Sequence, residues 1–364
     1  MKKVAIVQRQ VTHYRVQFYN LLGKILKMNN IELTIFAGDI NKKESFKDGL
    51  SNVKYAKRVK NYNIGKKIYW QNIYNILGNY DLVIMEQSNS AILNFQMIYR
   101  RFFLKSKTKI AFWGHGSVLH EKDNFISKKI RTYLTNKVDF WFAYTELTRE
   151  ILYNLGVSKH KISIVNNSID VSYVIDERNK KSKKNQKHKT VVFCSRLYKN
   201  KALPFVINGC EIARNTIPNL RLIIIGDGPE KKHIINLVKN KSWITMKGSL
   251  YDKEKAKNLL KGDIMVLPSH VGLSILDGFA AGLPIVISDF KNHCPEITYF
   301  TNNVNGLLSK KDVNDFAKKI AFLFENPNIL SSMSVEAIKT AEKYSIDKMA
   351  KNFANGIIKS LSNS

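Results

Sequence analysis

VLPSHVGLSILDGFAAGLPIVISD (residues 266–289) packs a strand, a loop, a helix and a second strand into one short segment. An apolar strand over Asp263–Leu267 runs into the loop. A helix opens near Gly272, ends at Gly282-Leu-Pro284, and is followed by a second apolar strand, Pro284–Ser288. Strand–helix–strand with continuously apolar strands predicts a parallel sheet covered on both faces. At the helix mouth the backbone N–H groups of Gly272, Leu273 and Ser274 form an anion site, and glycine at 272 lets an anion approach the backbone. Asp277 shares the face of Leu273 and Ser274. It lies about 7.5 Å from Gly272 along the axis, a separation that suits a diphosphate at the mouth and a ribose hydroxyl at the carboxylate. The competing reading is an ordinary capped helix with a surface aspartate.

The same alternation extends outward. Upstream, apolar strands are expected at Thr190–Leu197, Leu220–Gly226 and Ile244–Gly248, each followed by a helical stretch, with further helices near 312–326, 332–343 and 345–361. A first series occupies Val4–Val7, Glu32–Ala37, Leu82–Met85, Lys109–Trp113, Asp139–Ala143 and Ile162–Val165. Between the series, DERNKKSKKNQKHK (176–189) has seven Lys/Arg and no large apolar residue, and reads as a solvated linker. The expectation is two α/β domains. Residues 1–172 form the first, 173–189 a basic linker, 190–345 the second, and 346–364 a C-terminal helix packing back on the first.

Net charge constrains partners. The 364 residues carry 59 Lys+Arg against 29 Asp+Glu, a formal charge of +30. The excess is spread evenly, with 28 basic and 12 acidic residues in 1–170 and 31 and 17 in 171–364. A basic body points to an anionic partner: nucleic acid, a membrane surface or a phosphate-bearing substrate. Residues 100–131 add aromatic Phe102, Phe103 and Phe125 among nine Lys/Arg, as an interfacial membrane surface or a single-strand groove would. Cys194, Cys210 and Cys294 have no CxxC spacing, which excludes a disulfide framework and suits a reducing cytoplasm. MKKVAIVQRQ is too short in apolar residues for a signal peptide, and no stretch reaches a membrane span.

Three more segments carry candidate chemistry. SRLYKNK (195–201) sets Arg196 and Lys201 at the carboxyl end of a strand, the edge where open α/β sheets bind ligands, and two cations there can hold a diphosphate. FWGHGS (112–117) ends a strand with His115 between glycines, placed as donor, acceptor or base. LRLIIIGDGPE (220–230) lacks the third glycine of a dinucleotide fingerprint, so Gly226 and Gly228 read as turn formers. No P-loop, GxSxG, HExxH or Asp-x-Asp pattern occurs, which leaves no motif for a metal and none for a bound cofactor.

With these residues assembled, the chain resembles family 4 glycosyltransferases, retaining nucleotide-sugar enzymes of the two-domain GT-B fold. SRLYKNKA, LRLIIIGDGPE and GLSILDGFAAGLPIVISD carry the resemblance, with PEI (295–297), NGLL (305–308), His115 and NSID (167–170) beside them. HYRVQFYN (13–20) is similar to the opening of bacterial enzymes that build surface polysaccharides such as O-antigen and capsule. Two departures stand out. The family's Glu-x7-Glu has Asp277 at its second position and no acid at its first, because Pro268–Gly272 is about three residues short; Ser269 or His270 stands there instead. Ser195 also replaces the usual glycine before Arg196.

The resemblance implies two Rossmann-like domains with parallel sheets facing an interdomain cleft. It implies His115, Arg196 and Lys201 as catalytic residues, and Gly248, Ser269, His270, Gly272, Leu273, Ser274 and Asp277 around the donor. Arg9, Tyr14, Arg15 and Glu86 fall on the acceptor side. The co-substrate implied is a UDP- or GDP-sugar, with no metal, and the leaving diphosphate is stabilised by Arg196, Lys201 and the helix amides. The acceptor implied is a lipid-linked glycan or oligosaccharide, handled by a cytoplasmic enzyme peripheral to the inner face of an anionic membrane. The competing readings are a non-catalytic or epimerase-like relative of the same fold and, from another class, a basic nucleic-acid-binding protein.

Overall fold

The computed structural model of the chain describes residues 1–40, 47–65, 68–116, 125–180 and 188–362, apart from the side chains of 125–128 and 131. It divides into two compact units, Met1–Asp170 with Ile346–Ser364, and Val171–Ser345.

The first unit holds β1 (Lys2–Gln10), β2 (Ile31–Gly38), β3 (Ala56–Arg58), β4 (Asn61–Ile64), β5 (Ile68–Gln71), β6 (Leu82–Glu86), β7 (Lys109–Gly114), β8 (Phe140–Ala143) and β9 (Ile162–Ile164). Its helices are α1 (Val16–Met28), α2 (Tyr74–Leu77), α3 (Ile92–Phe102), α4 (Phe125–Asn136) and α5 (Glu146–Asn154). Seven strands form one parallel sheet in the order β3-β2-β1-β6-β7-β8-β9, and β4 with β5 makes a separate antiparallel hairpin. Alternate residues of β1 serve opposite faces, as the two-residue repeat of a strand demands. Val4 and Ile6 join the core under α1, whereas Ala5 and Val7 join the core under α3. The C-terminal helix, Ile346–Ser362, closes the α1 face. Phe353 stacks on Phe142 at 4.3 Å between centroids and meets Phe18 at 5.3 Å.

The second unit holds β10 (Lys189–Cys194), β11 (Leu220–Ile225), β12 (Ile244–Met246), β13 (Ile264–Val266), β14 (Ile285–Ser288) and β15 (Gly306–Ser309). Its helices are α6 (Ser172–Asn179), α7 (Leu203–Ala213), α8 (Lys231–Val238), α9 (Asp252–Leu259), α10 (Ser274–Ala280), α11 (Val313–Glu325) and α12 (Pro327–Lys343). All six strands are parallel, in the order β12-β11-β10-β13-β14-β15. In chain order that is 3-2-1-4-5-6, the doubly wound arrangement whose switch point lies between the first and fourth strands.

The expected linker over 173–189 is corrected. Ser172–Asn179 is helix α6 of the second unit, with Val174 fully buried and Arg178 Nη1 donating to Ala280 O at 2.7 Å. The charged run that suggested a linker starts at Asp176, just past the apolar residues that anchor the helix. Residues 181–187 lie outside the described residues.

Phe353 is fully buried among three aromatic rings. Phe353→Ala is expected to destabilise the first unit by about 3–5 kcal/mol. Chemical denaturation followed by aromatic fluorescence would check it.

Candidate active site

In the second unit the switch point lies where β10 and β13 end. Two glycines build the turn beside it. A Cβ on Gly226 would sit 1.9 Å from Ser195 O, and one on Gly228 would sit 2.6 Å from Leu197 O, so only glycine allows β11 to come this close to the 195–197 loop. That loop is clasped by Ser195 N to Ile225 O and Leu197 N to Asp227 O, at 3.1 and 2.9 Å. Its Arg196 is exposed, with the guanidinium 4.9 Å from the Tyr198 ring centre.

Lys201 ends a single 3-10 turn and reaches the loop after β13, donating to His270 O at 2.5 Å. Burial pushes its ammonium down to about 8, with nearby Arg196 adding to the effect. The two cations therefore differ in kind, one solvated and one sheltered.

The short loop Pro268–Gly272 is held by a partner segment that sequence reasoning missed. Ser269 is buried and donates its hydroxyl to Asn292 Oδ1 at 3.1 Å. His270, with φ +49°, places Nδ1 2.9 Å from Asn292 O and Nε2 3.5 Å from Cys294 Sγ. The carbonyl can only accept, so Nδ1 carries the proton. Val271 N donates to His293 Nδ1, and His293 Nε2 donates to Ser288 O, at 3.2 and 3.0 Å. Burial keeps His293 below the ordinary histidine range and pushes the Cys294 thiol up to about 11. The only sequence signal for this segment was its position directly before PEI.

α10 begins at Ser274, two residues later than expected, with Ile275 N and Leu276 N bonded back to Gly272 O and Leu273 O. Among the described residues, no backbone carbonyl accepts from the N–H groups of Gly272, Leu273 or Ser274. A Cβ on Gly272 would meet Cys294 Sγ at an ordinary 3.7 Å, and one on Gly248 would meet nothing within 4 Å.

The surface aspartate of the competing reading is corrected. Asp277 is 2% exposed; its Oδ1 accepts from Tyr173 OH at 3.0 Å and its Oδ2 from Lys255 Nζ at 2.6 Å. The three side chains come from α6, α9 and α10. Burial alone would lower the Lys255 ammonium, but the carboxylate beside it outweighs that and holds it above the ordinary lysine range. Burial, reinforced by Asp277, pushes the Tyr173 phenol up. A carboxylate has about four acceptor positions, so two bonds do not exhaust Asp277. No spacing rule links residues 173, 255 and 277, which is why this cluster escaped the sequence.

In the first unit, β1, β6 and β7 are neighbours, so their carboxyl ends set Arg9, Glu86 and His115 on one edge. β1 slips register against β2 between Gln8 and Gln10, and Arg9 lies in that irregularity, 5.3 Å over the Tyr69 ring. Its backbone N donates to Glu86 Oε2 at 3.4 Å. The His115 ring lies 4.3 Å from Tyr144, and Gly116 N donates to Gln87 Oε1.

Tyr14 is half-buried beside His13, but Arg15 departs from its expected acceptor-side role. It is 9% exposed, donating to Asn167 Oδ1 at 2.6 Å and Ser168 O at 3.3 Å with its guanidinium over Trp113. It ties the start of α1 to the NSID stretch. Of the basic run 100–131, Arg100 donates to Tyr74 O and Arg101 grips Asp139, so both serve the fold. Lys122 lies outside the described residues, as do the side chains of Phe125, Lys128 and Arg131.

Residues 174–343 match the family described as Glycosyl transferases group 1. The chain is 25% identical over 225 residues to the exopolysaccharide phosphotransferase SCO2592 of Streptomyces coelicolor, covering 59% of this chain and 23% of that protein. It is 25% identical over 169 residues to the alpha-monoglucosyldiacylglycerol synthase of Acholeplasma laidlawii, covering 44% and 41%. The chain thus spans less than half the length of either relative. Its fold is similar to that of Anabaena Alr3699/HepE solved in complex with UDP, with TM-score 0.70 at 14% identity over 98% of this chain and 100% of that one. The fold is therefore GT-B, with parallel sheets in two Rossmann-like domains.

Lys255→Met is expected to lower stability by about 3–5 kcal/mol, because it strands a buried carboxylate. Adding Asp277→Asn removes that charge while keeping an acceptor for Tyr173, and should restore part of the loss. Urea denaturation of both variants would check the pair.

Proposed function

We propose that the chain transfers a sugar from a nucleotide-diphosphate donor, a UDP- or GDP-sugar, to a lipid-linked or saccharide acceptor in bacterial surface polysaccharide synthesis, with retention at the anomeric carbon. The observation that carries this reading is the pair of cations, exposed Arg196 and sheltered Lys201, at the switch point of a sheet in dinucleotide-fold order. Strand carboxyl ends at that point are where open α/β sheets take phosphorylated ligands. The similarity to a UDP-bound structure supports a nucleotide donor. The relatives named for exopolysaccharide and for a glucosyl-diacylglycerol support a glycan or lipid acceptor.

In this reading the bond between the anomeric carbon and the diphosphate breaks, and negative charge grows on the leaving oxygen. Arg196, Lys201 and the Gly272–Ser274 amides take up that charge without a metal. The nucleoside passes Gly248, and Asp277 offers its remaining acceptor positions to the ribose. His270 with buried Ser269 behind it lies toward the transferred sugar. His115 serves the reacting sugar, and Arg9, Tyr14 and Glu86 serve the acceptor. The enzyme works in the cytoplasm, peripheral to the inner face of the cell membrane. The competing nucleic-acid reading is not favoured.

Two measurements test this. UDP or GDP at a hundred times its dissociation constant should stabilise the chain by about 2.7 kcal/mol, while ADP and CMP should not; stabilisation by none of the four would overturn the donor site. Lys201 is held near 8 when folded, below its unfolded value, so folding favours its neutral form and stability rises as pH climbs above 8. A diphosphate needs the cation, so affinity should fall above pH 8 by up to about tenfold per pH unit, and Lys201→Arg should flatten that slope. In turnover, Arg196→Ala should lower kcat by roughly a hundredfold to a thousandfold, measured by release of the nucleoside diphosphate.

A further inference from the structure

The first unit carries an apolar surface that its own core does not use. Helix α3 is apolar on two sides. Leu93, Met97 and Ile98 are buried, whereas Phe95, Tyr99 and Phe103 are 40%, 54% and 64% exposed at four-residue spacing. Four-residue spacing puts them in one stripe. Tyr99 and Phe103 stack at 5.2 Å, and Leu104 follows them, also exposed.

The β4–β5 hairpin continues this surface. Tyr62 pairs with Trp70 and Ile64 with Ile68, so the four side chains share one face of the ribbon. Tyr62, Ile64 and Ile68 on that face are exposed. Trp70, on the same face, joins α3 by donating Nε1 to Gln96 Oε1 at 3.1 Å.

The charge around this surface is mainly positive, and Asp139, against α3, is taken up by Arg101. Residues 54–109 contain 11 Lys/Arg against only Asp81 and Glu86. Asp81 is paired with Lys2, and Glu86 accepts from Arg9 N. Lys60 lies 4.9 Å over Tyr62 and Lys137 lies 5.7 Å over Phe102, while Lys105 and Lys107 follow Leu104 in sequence.

Exposed large apolar side chains grouped on neighbouring elements in this way mark a contact surface. Lysine is depleted at protein–protein interfaces, which argues against a protein occupant. Single-stranded nucleic acid would use the rings and the lysines but has no use for Ile64, Ile68 and Leu104. A bilayer uses all three: aliphatic side chains enter the acyl boundary, Tyr and Trp sit at headgroup level, and lysines meet anionic lipid. Among the described residues no helix is long and apolar enough to cross a membrane.

We propose that α3 with the β4–β5 hairpin docks the chain onto an anionic lipid bilayer. The proposal rests on the reading that the enzyme is peripheral to a membrane, and it assigns the surface that would make it so. Vesicles of phosphatidylcholine alone and of phosphatidylcholine with 30% phosphatidylglycerol serve as probes in a flotation assay. The full chain should float with the anionic vesicles and less so in high salt. Phe103→Ser/Leu104→Ser should weaken binding about tenfold or more, and Lys105→Glu/Lys107→Glu by at least fivefold per residue.

All four residues lie outside the donor site, so UDP stabilisation of these variants should match wild type and show that they fold. A control, Lys310→Glu/Lys311→Glu in the second unit, should retain binding. Failure of wild type to float overturns the proposal, as does equal loss in the control or undiminished binding by the α3 variants. Binding of oligo-dT that is lost in the same variants while vesicles are ignored also overturns it, in favour of nucleic acid. A dimer dissolved by Phe103→Ser would assign the face to a second copy instead. Flotation without any response to UDP or GDP would leave the docking surface standing and remove the transferase reading.

Discussion

A parallel sheet buried on both faces has its polar chemistry at its ends, because backbone groups along the strands are consumed by the ladder and the faces by packing. Both units obey this constraint. Val191, Val192 and Phe193 of β10 are fully buried, and the first side chains after its end that can meet a ligand are Ser195 and Arg196. Strand order then decides which ends matter. In the second unit the first and fourth strands are adjacent, and the loops after them part in opposite directions. Arg196 and Lys201 follow the first strand, and His270 follows the fourth. The hydrogen bond from Lys201 to His270 O spans that switch point.

Electrostatics within this second unit follow from where each charge lies. Most of the chain's positive charge is solvated, and single solvated pairs such as Lys257–Glu254 add little. Lys255 and Asp277 are different, because side chains that are 17% and 3% exposed must satisfy each other. Their pairing, completed by Tyr173, fastens α6, α9 and α10 at one point. It also sets a buried carboxylate in a strongly basic protein. Lys201 lacks such a partner and is shifted downward, while Lys255 is shifted upward. Two buried lysines in one unit thus differ because only one of them touches a carboxylate.

The fold was largely legible because buried parallel strands write themselves as unbroken apolar runs; Val4–Val7, Leu82–Met85 and Ile285–Ser288 have no other economical reading. The cations Arg196 and Lys201 were legible for the same reason, since they follow such a run at once. Arg15 was not. In sequence it is one more basic residue near a strand end, and only the return of the chain at Asn167 and Ser168 buries it. α6 was hidden because its anchors, Tyr173 and Val174, precede a charged run that dominates any composition window. The outward stripe Phe95, Tyr99, Phe103 was half visible, as aromatics among lysines. That Phe95 and Tyr99 face outward, while Leu93 and Met97 face the sheet, requires knowing which side the sheet takes.

The shortened loop is where this chain parts most clearly from the pattern it resembles. In that loop, which holds no acid before Gly272, His270 takes a positive φ. A non-glycine residue holds that conformation only when its surroundings over-determine it. Here they do: Asn292 takes the His270 ring and the Ser269 hydroxyl, Cys294 N bonds Val271 O, and His293 bridges Val271 N to Ser288 O. The loop is therefore held by a hydrogen-bonded lattice in which no acid takes part. With Nδ1–H committed to Asn292 O and Nε2 3.5 Å from Cys294 Sγ, both ring nitrogens of His270 are engaged by the segment that holds the loop.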